Sequence, residues 1–161
     1  MKVVELYPDV IKWFKRYLGD RHSHSEIDVY DTHKTILSRF ILKENFYNFF
    51  PEHKSFYFNV DITAVIRTKN NVSLAFVEYK NKPVTLKDVG QILGFSMVAK
   101  PLYSFIISPE GISDALNSLL RTFGRYDILE YEKSKRIKIA QWDISRREID
   151  SRTFLPPGEF I

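Results

Sequence analysis

Two apolar segments rich in β-branched and aromatic residues restrict the fold of this chain more than any other feature. They span residues 56–67 and 72–80, and the segment Thr68-Lys69-Asn70-Asn71 joins them. Asparagine tolerates a positive φ angle, so this short polar segment suits a tight turn between two strands. The sequence therefore predicts an antiparallel β-hairpin near the middle of the chain.

Three charged side chains of this hairpin are spaced so that they lie on one face. Side chains alternate between the two faces of a strand, so Glu78 and Lys80 point the same way. A turn centred on Lys69-Asn70 places Asp61 opposite Glu78, and a turn centred on Asn70-Asn71 places Asp61 opposite Lys80. Either register gathers the three side chains, with directly opposed Cβ atoms about 4.5–5.5 Å apart.

Two carboxylates at this separation repel each other unless a cation lies between them. Hard divalent metals such as Mg²⁺ take oxygen ligands, which suits Asp61, Glu78 and the carbonyl of Tyr79 as a metal site. A bound metal lowers the pKa of a water and offsets the charge of a phosphate. Lys80 is a compact cation that can orient the water or stabilise the transition state. The competing interpretation is a surface ion pair, worth about 0–1 kcal/mol.

The order of these residues resembles a known family. Asp61, then Glu78-Tyr79-Lys80 on the next predicted strand, then Gln91 in the following predicted helix resemble the PD-(D/E)XK nuclease superfamily, which has the restriction-endonuclease-like fold. Asp61 matches the first acid of the motif, and Glu78 and Lys80 match its (D/E)-x-K. Gln91 matches a helical glutamine of many members, and Glu5 is a weaker match to an acid near the first helix. The resemblance covers roughly residues 5–108.

The resemblance implies a core ordered α-β-β-β-α-β and hydrolysis of DNA phosphodiester bonds with Mg²⁺ or Mn²⁺. Val60 replaces the proline of the motif, a departure that is common in this divergent superfamily. In this interpretation Asp61 and Glu78 bind the metal, Lys80 assists the attacking water, and Gln91 orients the substrate or the water. RNA as the substrate and action as a homodimer remain open. The alternative function is a catalytically inactive module of the same fold that binds nucleic acid or a protein.

The rest of the chain predicts one domain over residues 1–161 that belongs to the α/β class (an α+β mixed sheet). A C-terminal helix and hairpin follow the restriction-endonuclease-like core. Apolar periodicity and capping residues predict helices at 8–18, after a cap at Thr32, at Leu86–Ala99 behind a Thr85/Asp88 capping box, and at 112–123. Further strands are predicted at Glu26–Asp31, 102–108, 127–131 and 136–142, followed by an irregular tail.

Charge and composition limit the partners and the location. The net charge is +4, and the C-terminal third is locally basic. Lys133, Lys135 and Arg136 are therefore predicted to contact phosphates of a nucleic acid, with ordinary solubilising charge as the alternative. The absence of cysteine excludes disulfides and thiolate metal sites and fits a cytoplasmic protein. The apolar segment 89–109 contains a Lys100-Pro101 break at its centre, which argues against a membrane span.

Overall fold

The computed structural model describes residues 3–158 and has a mixed α/β architecture around a six-stranded mixed sheet. The helices are α1 (Tyr7–Arg21), α2 (Leu37–Lys43), α3 (Leu86–Ala99) and α4 (Asp114–Asn117), the last continued by a π-helical turn at Ser118–Thr122. The strands are β1 (Glu26–Asp31), β2 (Ile62–Arg67), β3 (Val72–Tyr79), β4 (Tyr103–Ser108), β5 (Glu130–Glu132), β6 (Lys135–Arg136), β7 (Lys138–Asp143) and β8 (Glu148–Leu155).

The sheet has the strand order β1-β2-β3-β4-β7-β8. The first three strands form an antiparallel meander, and α3 then leads back so that β4 lies parallel to β3. Strand β7 is parallel to β4, β8 is antiparallel to β7, and β5 and β6 form a separate hairpin. One end of the sheet, which we call the acidic end, is therefore where β1, β3, β4 and β7 end and β2 begins.

Both faces of the sheet are covered, and each has its own apolar core. On one face α1 presents a stripe at helical spacing that includes Val10, Phe14 and Leu18, all fully buried. The Phe14 ring meets the Phe105 ring of β4 edge to face, with 5.6 Å between centroids. The other face lies under α2 and α3, where Phe76 of β3 is fully buried. The central strands are consequently buried on both sides, as in other sheets with helices on each face.

Several predicted elements are confirmed at their predicted bounds. Strand β1 covers Glu26–Asp31, and α3 covers Leu86–Ala99 behind a capping box formed by Thr85 and Asp88. The apolar segment 89–109 is a helix, a turn with Lys100 at a φ of 50°, and the strand β4. Between residues 3 and 158 the structure contains no helix with the length and apolar character needed to cross a membrane.

The first strand of the hairpin is shorter than predicted, because it begins at Ile62 rather than at residue 56. The residues before Ile62 form hydrogen bonds with the start of α2 instead of pairing with a strand of the sheet. The carbonyl of Phe58 accepts a hydrogen bond from the Leu37 N–H (2.8 Å), and the carbonyl of Phe56 accepts one from the Ser38 N–H (3.0 Å). These carbonyls pair with N–H groups of the first turn of α2, which have no partner within the helix.

Thr32 does not cap α2, as the sequence predicted. The helix begins at Leu37, and its N-cap residue Ile36 makes no side-chain cap. The Thr32 side chain is instead buried, and its hydroxyl donates to the Val60 carbonyl (2.6 Å) and lies 2.8 Å from the Thr63 hydroxyl. Thr32 therefore joins the end of β1 to the start of β2.

The C-terminal third differs most from the prediction. The segment 127–131 is largely a 3-10 helix, Tyr126–Leu129, and the strand β5 starts only at Glu130. The predicted strand 136–142 is split between β6 and β7, and the tail predicted to be irregular contains the edge strand β8. The middle of β8 is the polar run Asp150-Ser151-Arg152, so its sequence lacks the apolar alternation by which strands are recognised.

Candidate metal centre at the acidic end

The hairpin register brings the two predicted acids together. Ile62 pairs with Val77 and Arg67 pairs with Val72, which is the register of a turn centred on Lys69-Asn70. Asp61 directly precedes β2, and Glu78 is the last but one residue of β3. The register therefore places Asp61 across from Glu78 at the acidic end, as the first of the two predicted registers requires.

Reciprocal hydrogen bonds fix both carboxylates to the neighbouring strand. The Asp61 N–H donates to Glu78 Oε1 (2.8 Å), and the Tyr79 N–H donates to Asp61 Oδ2 (2.9 Å). Each acid thus binds the backbone of the strand that carries the other, and charge-assisted bonds of this kind are stronger than neutral ones. The positions of the two carboxyl groups are consequently set by the backbone and do not depend on a flexible loop.

Lys80 lies beside this pair. Its Nζ is 3.6 Å from Glu78 Oε2 and 3.9 Å from Asp88 Oδ1 of α3, while its backbone N–H donates to the Ile107 carbonyl (2.8 Å). Asp88 was predicted only as a capping residue, and it fills that role with one oxygen while the other faces Lys80. Lys80 therefore stands between the acid pair and the start of α3.

Burial and mutual repulsion make the two acids hard to ionise together. Burial, together with the charge of Asp61, raises the pKa of Glu78 to about 7, while the Asp61 N–H and Lys80 oppose the shift. Burial also raises the pKa of Asp61, and the Tyr79 N–H acts against that rise. A divalent cation held by Asp61 and Glu78 would relieve both effects, because it would favour the ionised form of each group.

The sequence analysis missed Tyr7, which is a further member of the site. Tyr7 is buried at the start of α1, and its hydroxyl hydrogen-bonds to the Asp61 side chain. Burial and the Asp61 charge both raise the pKa of Tyr7. Its neighbour Pro8 marks a helix start, but no local pattern indicates that this helix end packs against the start of β2.

Two further predicted residues lie on or next to the helices that carry Asp88 and Tyr7. Gln91 is exposed on α3, one turn after Asp88, so the two share a face of the helix. Glu5 is exposed in a short 3-10 helix, Val3–Leu6, that precedes α1. Their predicted roles in orienting water or binding metal stay predictions.

The predicted basic cluster lies at the other end of the sheet. Lys133, Lys135 and Arg136 belong to the β5–β6 hairpin, whose Tyr131 hydroxyl donates to the Pro101 carbonyl just before β4 begins. A six-residue strand separates the two ends by roughly 20 Å. Lys135 also pairs with Glu132 (3.3 Å). The structure therefore does not bring these cations together with the acids.

Other basic side chains occupy the acidic end. Arg146 and Arg147 lie in the turn between β7 and β8, and their side chains are 70% and 73% exposed. Arg147 approaches Asp9 in the first turn of α1 (3.9 Å), which ties this turn to the helix that carries Tyr7. Lys82 is exposed just beyond Lys80. These cations therefore lie at the same end of the sheet as the acid pair.

The donor set fits a magnesium-type ion. Within the part of the chain that the structure describes, no three His, Asp or Glu side chains converge as metal ligands. Magnesium commonly uses only one or two carboxylates and keeps several waters, so a pair such as Asp61 and Glu78 is compatible with this ion. Zinc or another metal that needs a closed shell of protein ligands does not fit this pair.

The surface next to Lys80 has room for a substrate. An open depression of about 620 Å³ is lined by Lys80, Lys82, Asp88 and Ser113 among others. The arrangement thus offers two neighbouring carboxylates, a cation beside them, and an accessible surface that adjoins the cation. Comparisons with models of known protein families, with curated proteins and with solved structures found no match to this chain.

Proposed function

We propose that this chain is a divalent-metal-dependent nuclease that hydrolyses DNA phosphodiester bonds. The observation that carries the proposal is the convergence of Asp61, Glu78 and Lys80, with Lys80 Nζ 3.6 Å from Glu78 Oε2. The element order α1-β1-β2-β3-α3-β4, with α2 between β1 and β2, supports it further, because the resemblance to the superfamily implies a core ordered α-β-β-β-α-β. The antiparallel meander followed by a parallel fourth strand is consistent with that proposal.

Each residue has a distinct task in the proposed reaction. Asp61 and Glu78 would hold the cation with their fixed carboxylates, and the Tyr79 carbonyl is a further candidate ligand. Mg²⁺ or Mn²⁺, when bound, supplies an acidified water and offsets the charge on the phosphate. Lys80 places a positive charge beside the attacking water and stabilises the extra negative charge of the transition state. Asp88 holds Lys80 in position from the opposite side.

Nucleic acid is the substrate that best matches the charges around the acid pair. Arg146, Arg147 and Lys82 are exposed at the acidic end and can contact phosphates on either side of the cleaved bond. The β5–β6 hairpin lies too far away to bind the same phosphates. We therefore expect Arg147→Ala to weaken DNA binding and its salt dependence, whereas Lys133→Ala leaves binding near the cleavage site unchanged.

The test is cleavage of single-stranded, double-stranded and branched DNA with and without Mn²⁺. We expect metal-dependent cleavage that Asp61→Asn, Glu78→Gln and Lys80→Ala each lower by about 10²-fold or more. Glu132→Gln removes a carboxylate from the β5–β6 hairpin and serves as the control that keeps full activity. Undiminished cleavage in all three site variants would refute the proposal. Parallel reactions with RNA show whether the protein also cleaves a substrate that contains ribose.

An inactive binding module on the same fold is the second candidate. The observation that favours it is that internal N–H groups already bind one oxygen of Asp61 and one of Glu78. Calorimetric titration of the protein with Mn²⁺ separates the candidates. Binding that is lost in Asp61→Asn supports the nuclease, and salt-sensitive DNA binding without any metal binding supports the module.

A further inference from the structure

A histidine–aspartate pair lies next to the acid pair, on the side away from Lys80. His33 Nδ1 lies within hydrogen-bonding distance of Asp31 Oδ1, and the same oxygen accepts the His33 backbone N–H (3.1 Å). Asp31 ends β1, and β1 and β3 flank β2 on opposite sides. Asp61 at the start of β2 therefore lies between His33 and the end of β3, which carries Glu78 and leads into Lys80.

The backbone around His33 is bound tightly to the site. The preceding residue, Thr32, donates its backbone N–H to the Asp61 carbonyl (2.9 Å) and its buried hydroxyl to the Val60 carbonyl. The His33 carbonyl accepts a hydrogen bond from the Asn59 side chain. These bonds attach His33 to the residues on either side of Val60 as well as to β1. The position of the imidazole is consequently fixed relative to Asp61.

The ring itself is also oriented. It meets the Tyr7 ring edge to face, with 5.2 Å between centroids, and Tyr7 in turn hydrogen-bonds to Asp61. The Asp31 carboxylate accepts the proton on Nδ1, which leaves Nε2 as the ring atom available to a ligand. Among residues 3–158, Nε2 of His33 has no hydrogen-bond partner, and 21% of the side chain is exposed. The charge of His33 also acts on Asp61 by lowering its pKa.

In-line displacement at phosphorus needs different groups on its two sides, because the attacking and leaving oxygens lie opposite each other. Lys80, toward α3, serves the side of the attacking water. The leaving oxygen then lies on the far side of Asp61, toward α1, where His33 is. Resting on the function proposed above, we propose that His33, oriented by Asp31, is the general acid that protonates the leaving oxygen.

The step balances without any additional reactant. The oxygen of the attacking water forms the new bond to phosphorus and releases one proton to solvent. The bond between phosphorus and the leaving oxygen breaks, and its electron pair stays on that oxygen, which takes the proton from His33 Nε2. The neutral imidazole is held by Asp31 and regains a proton from solvent before the next turnover. General acids of this type contribute about 10²–10⁴-fold to a rate.

The decisive experiment compares two leaving groups. One substrate is ordinary DNA, and the other carries a bridging sulfur in place of the leaving oxygen, which departs without a proton. We expect His33→Ala to lower kcat by about 10²-fold or more on ordinary DNA and by less than about 10-fold on the sulfur substrate. We expect Asp31→Asn to lower kcat more on ordinary DNA than on the sulfur substrate, but by a smaller factor than His33→Ala does. Equal losses on both substrates would indicate a structural role and overturn the inference.

Controls distinguish this inference from the proposed function. Asp61→Asn is expected to lower cleavage of both substrates equally. His22→Ala, which removes a histidine that contacts Tyr103 at the far end of the sheet, is expected to change neither rate. If the wild-type protein cleaves neither substrate, the proposed function fails together with the inference. If Asp61→Asn abolishes cleavage but His33→Ala acts on both substrates alike, only the inference fails.

A second readout does not depend on turnover. Nitrogen-15 NMR of the metal-free protein reports the proton on each imidazole nitrogen. We expect the His33 Nδ1 proton to be protected by Asp31, and the Nε2 signal to shift when DNA is added without metal. The His22 signals are expected to stay in place. Unchanged His33 signals at saturating DNA would show that the imidazole does not touch the substrate.

Discussion

Replacing Glu78 by Gln is expected to stabilise the metal-free protein at alkaline pH. Burial and, second, the charge of Asp61 raise the pKa of Glu78 from its ordinary value of 4.5 to about 7 in the folded protein. A carboxyl group with a raised folded pKa stabilises the protein below its unfolded pKa, and this contribution is lost as the pH rises through the folded pKa. Full ionisation of Glu78 therefore costs roughly 3 kcal/mol. Gln keeps an oxygen for the Asp61 N–H and avoids this cost.

The measurement is urea denaturation in a chelating buffer at several pH values. We expect wild type and Glu78→Gln to differ little near about pH 4 and to diverge between about pH 5 and pH 8, with the variant becoming more stable by up to about 3 kcal/mol. Glu132→Gln is the matched control, and its difference from wild type is expected to stay constant over that range. Mn²⁺ should stabilise wild type at alkaline pH but not Glu78→Gln. A stability difference that does not grow with pH would refute this electrostatic account of the site.

Three further substitutions test the packing that supports the site, each by the same denaturation measurement. Thr32→Val should lower the free energy of unfolding by about 1–3 kcal/mol, because the Val60 carbonyl and Thr63 hydroxyl lose a buried partner; a neutral result would contradict that role. Tyr79→Phe should be neutral or stabilising by about 1 kcal/mol, because within residues 3–158 the buried Tyr79 hydroxyl has no partner, and marked destabilisation would disprove this. Phe105→Ala should cost about 3–5 kcal/mol, since Phe105 is fully buried under α1, and a loss below about 1 kcal/mol would show that α1 packs loosely.

Much of the fold was predictable where the signal is local. Strand β1, helix α3 with its capping box, and the central hairpin follow from side-chain periodicity and from residues that cap or turn the chain. The prediction of β2 was wrong at its start, because the carbonyls of 56–58 bind the first turn of α2. The prediction of the tail was wrong because the edge strand β8 is stabilised by its pairing with β7, which no local pattern reveals.

The core of the candidate site was also predictable from the sequence. Alternation along β3 places Glu78 and Lys80 on one face, and the position of the turn decides which residue lies opposite Asp61. These relations depend on the two-residue period of a strand and on one short turn, so a single sequence contains them. The sequence by itself thus determined that the two acids and the lysine share one face, and the structure selected one of the two possible registers.

Only the tertiary structure decided what surrounds these three residues. Tyr7 reaches Asp61 because α1 packs across the sheet, and His33 lies beside it because the buried Thr32 hydroxyl ties β1 to β2. Tertiary packing also places the basic β5–β6 hairpin at the end of the sheet opposite the acidic end, and it brings Arg147 close to α1. Contacts between distant segments depend on how helices and strands pack in three dimensions, and side-chain periodicity carries no information about that arrangement.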